Sequence, residues 1–101
     1  MQNNKEAAIL ARIKAMDSEA ELLQLAETLW ADNHWLMMAA CYRKAAKLGS
    51  VEARYLLGEC YEIGMGVMQS DADAVRWYTE AANQRHSKAM RALAEYDYQG
   101  I

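Results

Sequence analysis

The sequence contains no proline, no phenylalanine and only five glycines among its 101 residues, whereas alanine occurs nineteen times. Proline and glycine disfavour helix interiors and alanine is the best helix former, so this composition predicts an all-α protein. A sheet protein of this length would need more turn residues and fewer alanines. Hydrophobic residues make up 53% of the chain, which excludes extensive disorder, and the length suits one small domain rather than two.

Cysteines, basic clusters and long apolar runs are also scarce. Cys41 and Cys60 lie nineteen residues apart without a CxxC pair, which favours reduced core thiols over a zinc site or a disulfide scaffold. The net charge of −3 argues against nucleic acid as a partner, because phosphate binding needs clustered lysine and arginine. The longest apolar stretch, residues 35–42, is too short to cross a membrane. With no secretory signal in the given chain, we expect a cytoplasmic protein without cofactor or metal.

The chain repeats itself with a period of 36 residues. Residues 41–65 placed on residues 77–101 give seven identities in 25 positions, including Tyr42 on Tyr78 and the alanine pair that follows each tyrosine. About two identities are expected by chance. A weaker copy around residues 25–27 lies upstream at a shift of 32. A two-helix hairpin of this size cannot bury its apolar face alone, so the repeat predicts hairpins that stack on one another.

Serines mark three predicted helix starts, and a glycine marks one predicted end. Ser18, Ser50 and Ser70 are expected N-caps, since a hydroxyl there accepts a hydrogen bond from an unpaired amide of the first turn. Gly49 is expected to end a helix in left-handed backbone. Together with apolar spacings of three and four residues, these signals predict six helices, at about residues 4–16, 19–31, 34–48, 51–63, 71–84 and 87–98.

Four short segments share a recognisable pattern. They are Gly64–Val67, Ala74–Ala82 and Leu57–Tyr61, with a further copy of part of the second at Cys41–Ala46. Over residues 39–101 this pattern resembles the Sel1-like repeat, a family similar to tetratricopeptide repeats, which has a G-x-G-V loop, a capping residue, an A-x-x-W-Y-x-x-A-A helix and an L-G-x-x-Y element. Three residues depart from the usual pattern, with Met68 in place of a proline, Ser70 in place of a capping aspartate and Arg85 where a glycine often ends the helix.

The resemblance implies a right-handed α-solenoid of stacked antiparallel helix hairpins, with residues 1–101 as a single helical repeat domain. It also implies a non-enzymatic adaptor or scaffold, of a kind common in bacteria, that binds a protein or peptide on its concave, helix-lined face. Within the domain we expect an N-terminal capping helix at 1–17, a degenerate repeat at 18–49, a full repeat at 50–85 and a partial last repeat at 86–101.

A candidate partner-binding surface follows from the tetratricopeptide arrangement, in which the first helix of each hairpin lines the concave face. Glu27, Glu59 and Glu95 occupy equivalent positions in the three units and form a column of one charge, which would suit a basic peptide. The alternative is an ordinary solvated face, because glutamate is common on helices. The predicted partner-binding residues are Leu23, Glu27, Trp30, Glu52, Tyr55, Glu59, Glu62, Arg91, Glu95 and Tyr98.

Two other function classes stay open at this point. A small acidic repeat domain is also suited to be an immunity or inhibitor protein that blocks a cognate toxin or enzyme. A hydrolase is less favoured, because no serine or cysteine has an identifiable histidine partner and both His34 and His86 fall at predicted loops or caps. The free face of the last helix, around Ala92, Leu93 and Tyr96, is a candidate contact for a homodimer.

Overall fold

A computed structural model describes residues 2–98 of the chain and the side chains of residues 5–97. This part of the chain contains six helices and no strand, which confirms the predicted all-α class. Every helix begins and ends within two residues of its predicted position. The helices are α1 (Gln2–Ala15), α2 (Glu19–Ala31), α3 (Trp35–Lys47), α4 (Val51–Ile63), α5 (Asp71–Asn83) and α6 (Ser87–Tyr98).

The helices stack in the order of the chain. From α2 to α6 each helix packs against the next one, and α1 packs against α3. The resulting body is elongated, with principal dimensions of 45 × 24 × 19 Å. An elongated stack of consecutive helix hairpins is the arrangement of an α-solenoid.

The predicted N-caps are confirmed at three helices. The hydroxyl of Ser18 accepts a hydrogen bond from the amide of Glu21 at 3.2 Å, at the start of α2. Ser50 does the same for the amide of Ala53 at 3.0 Å. At α5 the Ser70 hydroxyl accepts from the amide of Asp73 at 3.1 Å, so serine serves where the family usually has aspartate.

Left-handed residues end several of the helices. Gly49 has φ +110°, as predicted for the residue that follows α3. Arg85 has φ +66° after α5, and its amide donates to the carbonyl of Ala82 at 2.8 Å. Arginine therefore adopts the backbone conformation that glycine usually supplies in the family, and α5 ends at Asn83 without a glycine.

Two groups of buried side chains form the interior. The first core cluster lies among α1 to α4 and is aliphatic and sulfur-rich, and the second lies between α5 and α6 and contains two tyrosines. The first consists of Ile13, Leu22, Ala26, Leu29, Met37, Met38, Cys41, Tyr42, Ala45, Ala46, Ala53, Leu57 and Cys60, and the second of Ala74, Tyr78, Ala81, Ala89 and Tyr96.

Two glycines allow close contacts, one within a hairpin and one between neighbouring hairpins. A Cβ atom on Gly58 would lie 2.6 Å from ring carbons of Tyr78, so the absence of a side chain at this position of α4 lets the aromatic ring of α5 approach closely. Gly66, with φ +76°, lies in the loop between α4 and α5, and a Cβ atom there would overlap the carbonyl oxygen of Trp35. The second contact holds that loop against the start of α3.

Lys44 of α3 holds the C-terminal end of α1. Its ammonium group donates to the carbonyl oxygen of Ile13 at 2.9 Å and also to that of Lys14. Asp17, whose carboxylate lies 4.0 Å from the same ammonium, completes the arrangement. A cation at this position satisfies carbonyl groups that have no partner within the helix and interacts favourably with the helix dipole.

Candidate protein-interaction surface

A groove of about 560 Å³ runs between α2 and α4 over the surface of α3. Two carboxylates, Glu27 of α2 and Glu59 of α4, line it, and among the described residues no lysine or arginine does. We call it the acidic groove. Its other lining residues are apolar or aromatic, namely Trp30, Ala31, Met38, Tyr42, Leu56 and Met65.

The two carboxylates of the acidic groove both raise the pKa of Tyr42, a buried tyrosine of α3. The pKa of Tyr42 is raised to about 12, chiefly because burial disfavours the phenolate, with further contributions from the negative charges of Cys60, Glu59, Cys41 and Glu27. Two carboxylates in an apolar setting create a negative potential that is screened less than in open water. The groove therefore offers a cationic ligand both charge and apolar contact.

Glu59 is held in position by its own helix. The hydroxyl of Tyr55, one turn earlier, donates to its carboxylate at 2.8 Å. Burial and this hydrogen bond together raise the pKa of Tyr55 to about 12. A carboxylate can accept several hydrogen bonds, so Glu59 is oriented by Tyr55 and still has acceptor capacity for a ligand.

A second, smaller groove of about 280 Å³ lies between α4 and α6, and its charge is mixed. Glu95 and Tyr55 line it together with Arg91, Lys88 and Ala92. The predicted column of three glutamates is thus divided. Glu27 and Glu59 share the acidic groove, whereas Glu95 lies beside two cations in the next groove.

Two further predicted residues, Glu52 and Glu62, line neither groove. The carboxylate of Glu52 lies 2.7 Å from Nε2 of His86 at the start of α6. That of Glu62 accepts a hydrogen bond of 2.5 Å from the hydroxyl of Tyr78 in α5. Glu52 therefore joins α4 to the following helix α6, and Glu62 joins the two helices of one hairpin. Their positions on the predicted concave face did not indicate these internal contacts.

The remaining predicted residues lie in different settings. Trp30 is 58% exposed at the rim of the acidic groove. Leu23 is half-buried against the first core cluster and lines neither groove. The side chain of Tyr98 lies outside the described residues. Tyr42 and Leu56 also line the acidic groove, although neither was predicted from the sequence. Met65 lines it as well, and an apolar residue in a loop is a sequence signal for a contact residue.

His86 is a capping residue, as predicted. Its Nδ1 accepts a hydrogen bond from the amide of Ala89 at 3.2 Å, and its ring stacks on that of Tyr55 with centroids 4.7 Å apart. Because Nδ1 accepts, the ring proton lies on Nε2, which donates to Glu52. Nδ1 thus caps α6, and Nε2 joins that helix to α4.

The chemical groups of the described residues give little sign of catalysis. Cys41 and Cys60 are buried free thiols, as predicted, and burial raises the pKa of each to about 11. Thiols with raised pKa values are poor nucleophiles at neutral pH.

In the described part of the chain no group of three histidine, cysteine, aspartate or glutamate residues is placed to hold a metal ion. None of its helices is both long and apolar enough to span a membrane.

The sequence matches known repeat proteins over part of its length. The Sel1 repeat family model matches residues 39–50 and 51–86. The chain is 38% identical to Protein SHC1 of Saccharomyces cerevisiae over 60 residues, which are 59% of its length. Over 60 residues it is also 33% identical to Chitin synthase regulatory factor 2 of Schizosaccharomyces pombe. The matched segment covers 12% of the length of each of these relatives.

The fold has a relative among solved structures. The crystal structure of a Sel1 repeat protein from Oxalobacter formigenes superposes with a TM-score of 0.70 at 29% identity, covering 77% of this chain and 62% of that one. Sel1 repeats are generally protein-interaction modules. Residues 39–86 therefore carry Sel1 repeats, within a helical repeat fold of the Sel1 type.

Proposed function

We propose that this chain is a non-enzymatic adaptor whose acidic groove binds a basic amphipathic segment of another protein. The observation that carries the proposal is the pairing of Glu27 with Glu59 over an apolar floor, with no cation among the lining residues. Carboxylates would orient a lysine or arginine side chain, and apolar contacts would supply most of the binding energy.

The apolar residues of the groove suit a protein ligand. Trp30 is exposed at the rim, and tryptophan is enriched among the residues that dominate protein interfaces. Met38 and Met65 line the same groove with flexible, polarizable side chains that adapt to the shape of a partner. This combination favours an amphipathic helix or extended peptide over a small polar metabolite.

The relatives support regulation through binding rather than catalysis. One of them is named as a regulatory factor of chitin synthase, a function exerted on another protein. A cytoplasmic setting is part of this proposal, since the free thiols of Cys41 and Cys60 suit a reducing compartment. Fractionation of the host cell with a tagged chain tests the location, and recovery in an oxidising compartment would contradict it.

The binding proposal is tested with a synthetic peptide of about 18 residues that carries lysine on one helical face and leucine on the other. The test variant, Glu27→Gln with Glu59→Gln, removes two charges from the groove and keeps an oxygen to accept the Tyr55 hydrogen bond. The matched control, Glu80→Gln with Asp97→Asn, removes two charges from exposed positions that line neither groove. Fluorescence anisotropy measures the affinity of each variant.

We expect about tenfold weaker binding for the groove variant, the effect of losing about 1.4 kcal/mol of charge interaction, and unchanged binding for the control. Amide chemical shifts of the unsubstituted chain should change on α2 and α4. Equal weakening by both variants, or shifts confined to other helices, would contradict a site in the acidic groove.

A further inference from the structure

A third groove, of about 390 Å³, lies between α1 and α3, and its charge is opposite to that of the acidic groove. Lys14, Arg43, Lys44 and Lys47 line it, and no aspartate or glutamate does. We call it the basic groove. It does not follow from the overall composition, because residues 1–50 carry equal numbers of basic and acidic side chains.

Most of these positive charges are free to act on a ligand. Among the described residues no carboxylate lies within 4.0 Å of Lys14, Arg43 or Lys47. Arg43 donates to the hydroxyl of Tyr61 at 3.2 Å, and a neutral acceptor orients the guanidinium without cancelling its charge. Lys44 differs, because its ammonium is already bound to the end of α1. Three cations are therefore available along one groove.

The floor of the basic groove is apolar. Leu10 and Ile13 line it from α1, and Ala40 and Leu48 line it from α3 and the end of that helix. Leu10 and Leu48 are both among the large exposed hydrophobic residues of the chain. An exposed apolar trough with a cationic rim matches a ligand that has apolar and acidic side chains on one face.

The basic and acidic grooves use different sides of α3. Met38 and Tyr42 line the acidic groove, whereas Ala40 and Lys47 line the basic groove. At 3.6 residues per turn, Ala40 lies roughly 200° around the helix from Met38. A partner in one groove therefore leaves the other one open.

We propose that the basic groove is a second docking site, and that its occupant is an acidic amphipathic helix of a partner protein. The trough between two packed helices has the shape that receives a helix, and its cations require acidic residues on the ligand. An anionic membrane is a poorer match, because the apolar residues form the floor of a trough rather than a protruding surface. This inference is independent of the acidic groove, which lies on another face.

The test uses a peptide of about 18 residues that has a leucine stripe flanked by glutamates on the same helical face, and a scrambled peptide of the same composition. The groove variant is Lys14→Gln with Lys47→Gln. The matched control is Arg85→Gln with Lys88→Gln, which removes the same charge from exposed positions outside the basic groove. Melting temperatures by circular dichroism establish that both variants fold like the unsubstituted chain.

We expect amide shifts on α1 and α3, binding about tenfold weaker in the groove variant, and no change in the control. Since the attraction is electrostatic, affinity should also fall as salt is raised. A second variant, Leu10→Gln, should weaken binding through the floor while leaving every charge in place.

Four outcomes would overturn the proposal. The first is that the control variant weakens peptide binding as much as the groove variant does, and the second is that the scrambled peptide binds with the same affinity as the designed one. The third is that the peptide changes amide shifts in the acidic groove. The fourth is that the chain binds anionic phosphatidylglycerol vesicles but not the peptide. Loss of this site would not affect the lysine-rich peptide in the acidic groove, so the two proposals fail separately.

Discussion

The two core clusters hold their helices together in different ways. The first core cluster packs leucine, methionine, cysteine and alanine side chains, which attract one another without direction. In the second, two tyrosine hydroxyls reach carboxylates, with Tyr78 donating to Glu62 at 2.5 Å and Tyr96 donating to Asp71 at 3.0 Å. Apolar packing supplies stability in the first half, whereas directional bonds set the relative orientation of α4, α5 and α6 in the second.

This difference bears on function, because the acidic groove lies over the first core cluster. Met38 and Tyr42 belong both to that cluster and to the groove lining. Non-directional packing tolerates small movements of side chains more readily than fixed hydrogen bonds do. The first half is therefore the part of the chain better able to adapt to a ligand.

The largest expected effect comes from opening a cavity in the first core cluster. Leu22 is completely buried, so Leu22→Ala should lower the free energy of unfolding by about 3 kcal/mol. Leu36→Ala, at a leucine that is 60% exposed, should change it by less than about 0.5 kcal/mol. Urea denaturation measures both. Similar losses at the two sites would mean that the first half is not held by its aliphatic core.

A smaller effect is expected where directional bonds join α4 to α6. His86→Ala removes the N-cap of α6 and the contact with Glu52, and should cost about 1 kcal/mol. His86→Asn restores a capping side chain but cannot reproduce the stacking on Tyr55, so it should recover part of that loss. Hydrogen exchange of α6 amides follows the local change. Unchanged exchange in His86→Ala would contradict a capping role.

The stability of the chain should also depend on alkaline pH, through buried thiols and tyrosines. Burial raises the pKa of Cys41 and Cys60 from about 9 to about 11 in the first core cluster, and burial with the Asp71 hydrogen bond raises that of Tyr96 from about 10 to about 12 in the second. When folding raises the pKa of a group, that group stabilises the fold fully at any pH below its pKa in the unfolded chain. This stabilisation is lost as the pH rises through its pKa in the folded chain.

Urea midpoints should therefore fall from pH 9 to 11 through the thiols and from pH 10 to 12 through the tyrosines Tyr42, Tyr55 and Tyr96. In Tyr96→Phe the loss between pH 9 and 11 should persist and the later loss should become smaller. An identical pH profile in the variant would show that Tyr96 ionises equally in the folded and unfolded chain.

Local chemistry explains why so much of the fold could be predicted from the sequence. A serine cap such as Ser70 depends only on the three residues that follow it, and the left-handed Gly49 depends only on the helix that it ends. The repeat adds the stacking order, since equivalent apolar faces must cover one another. These features need no knowledge of how one helix is rotated against the next.

The surface residues depend on that rotation, and their prediction was less complete. Equivalent positions in the repeats did not show that Glu59 and Glu95 would line separate grooves, or that Glu62 would turn to Tyr78. The basic groove depends on α1 packing against α3, through a contact between Lys44 and carbonyl groups about thirty residues earlier. No periodic pattern encodes a contact of that kind.

The glycine in the loop between α4 and α5 has a consequence for longer arrays. Gly66 lies so close to the carbonyl oxygen of Trp35 that any side chain would push the loop away from the preceding hairpin. The angle between successive hairpins, and hence the curvature of the solenoid, is set there by a backbone contact and not by side-chain packing alone. A residue larger than glycine at this position would strain the left-handed loop and change the angle between successive hairpins.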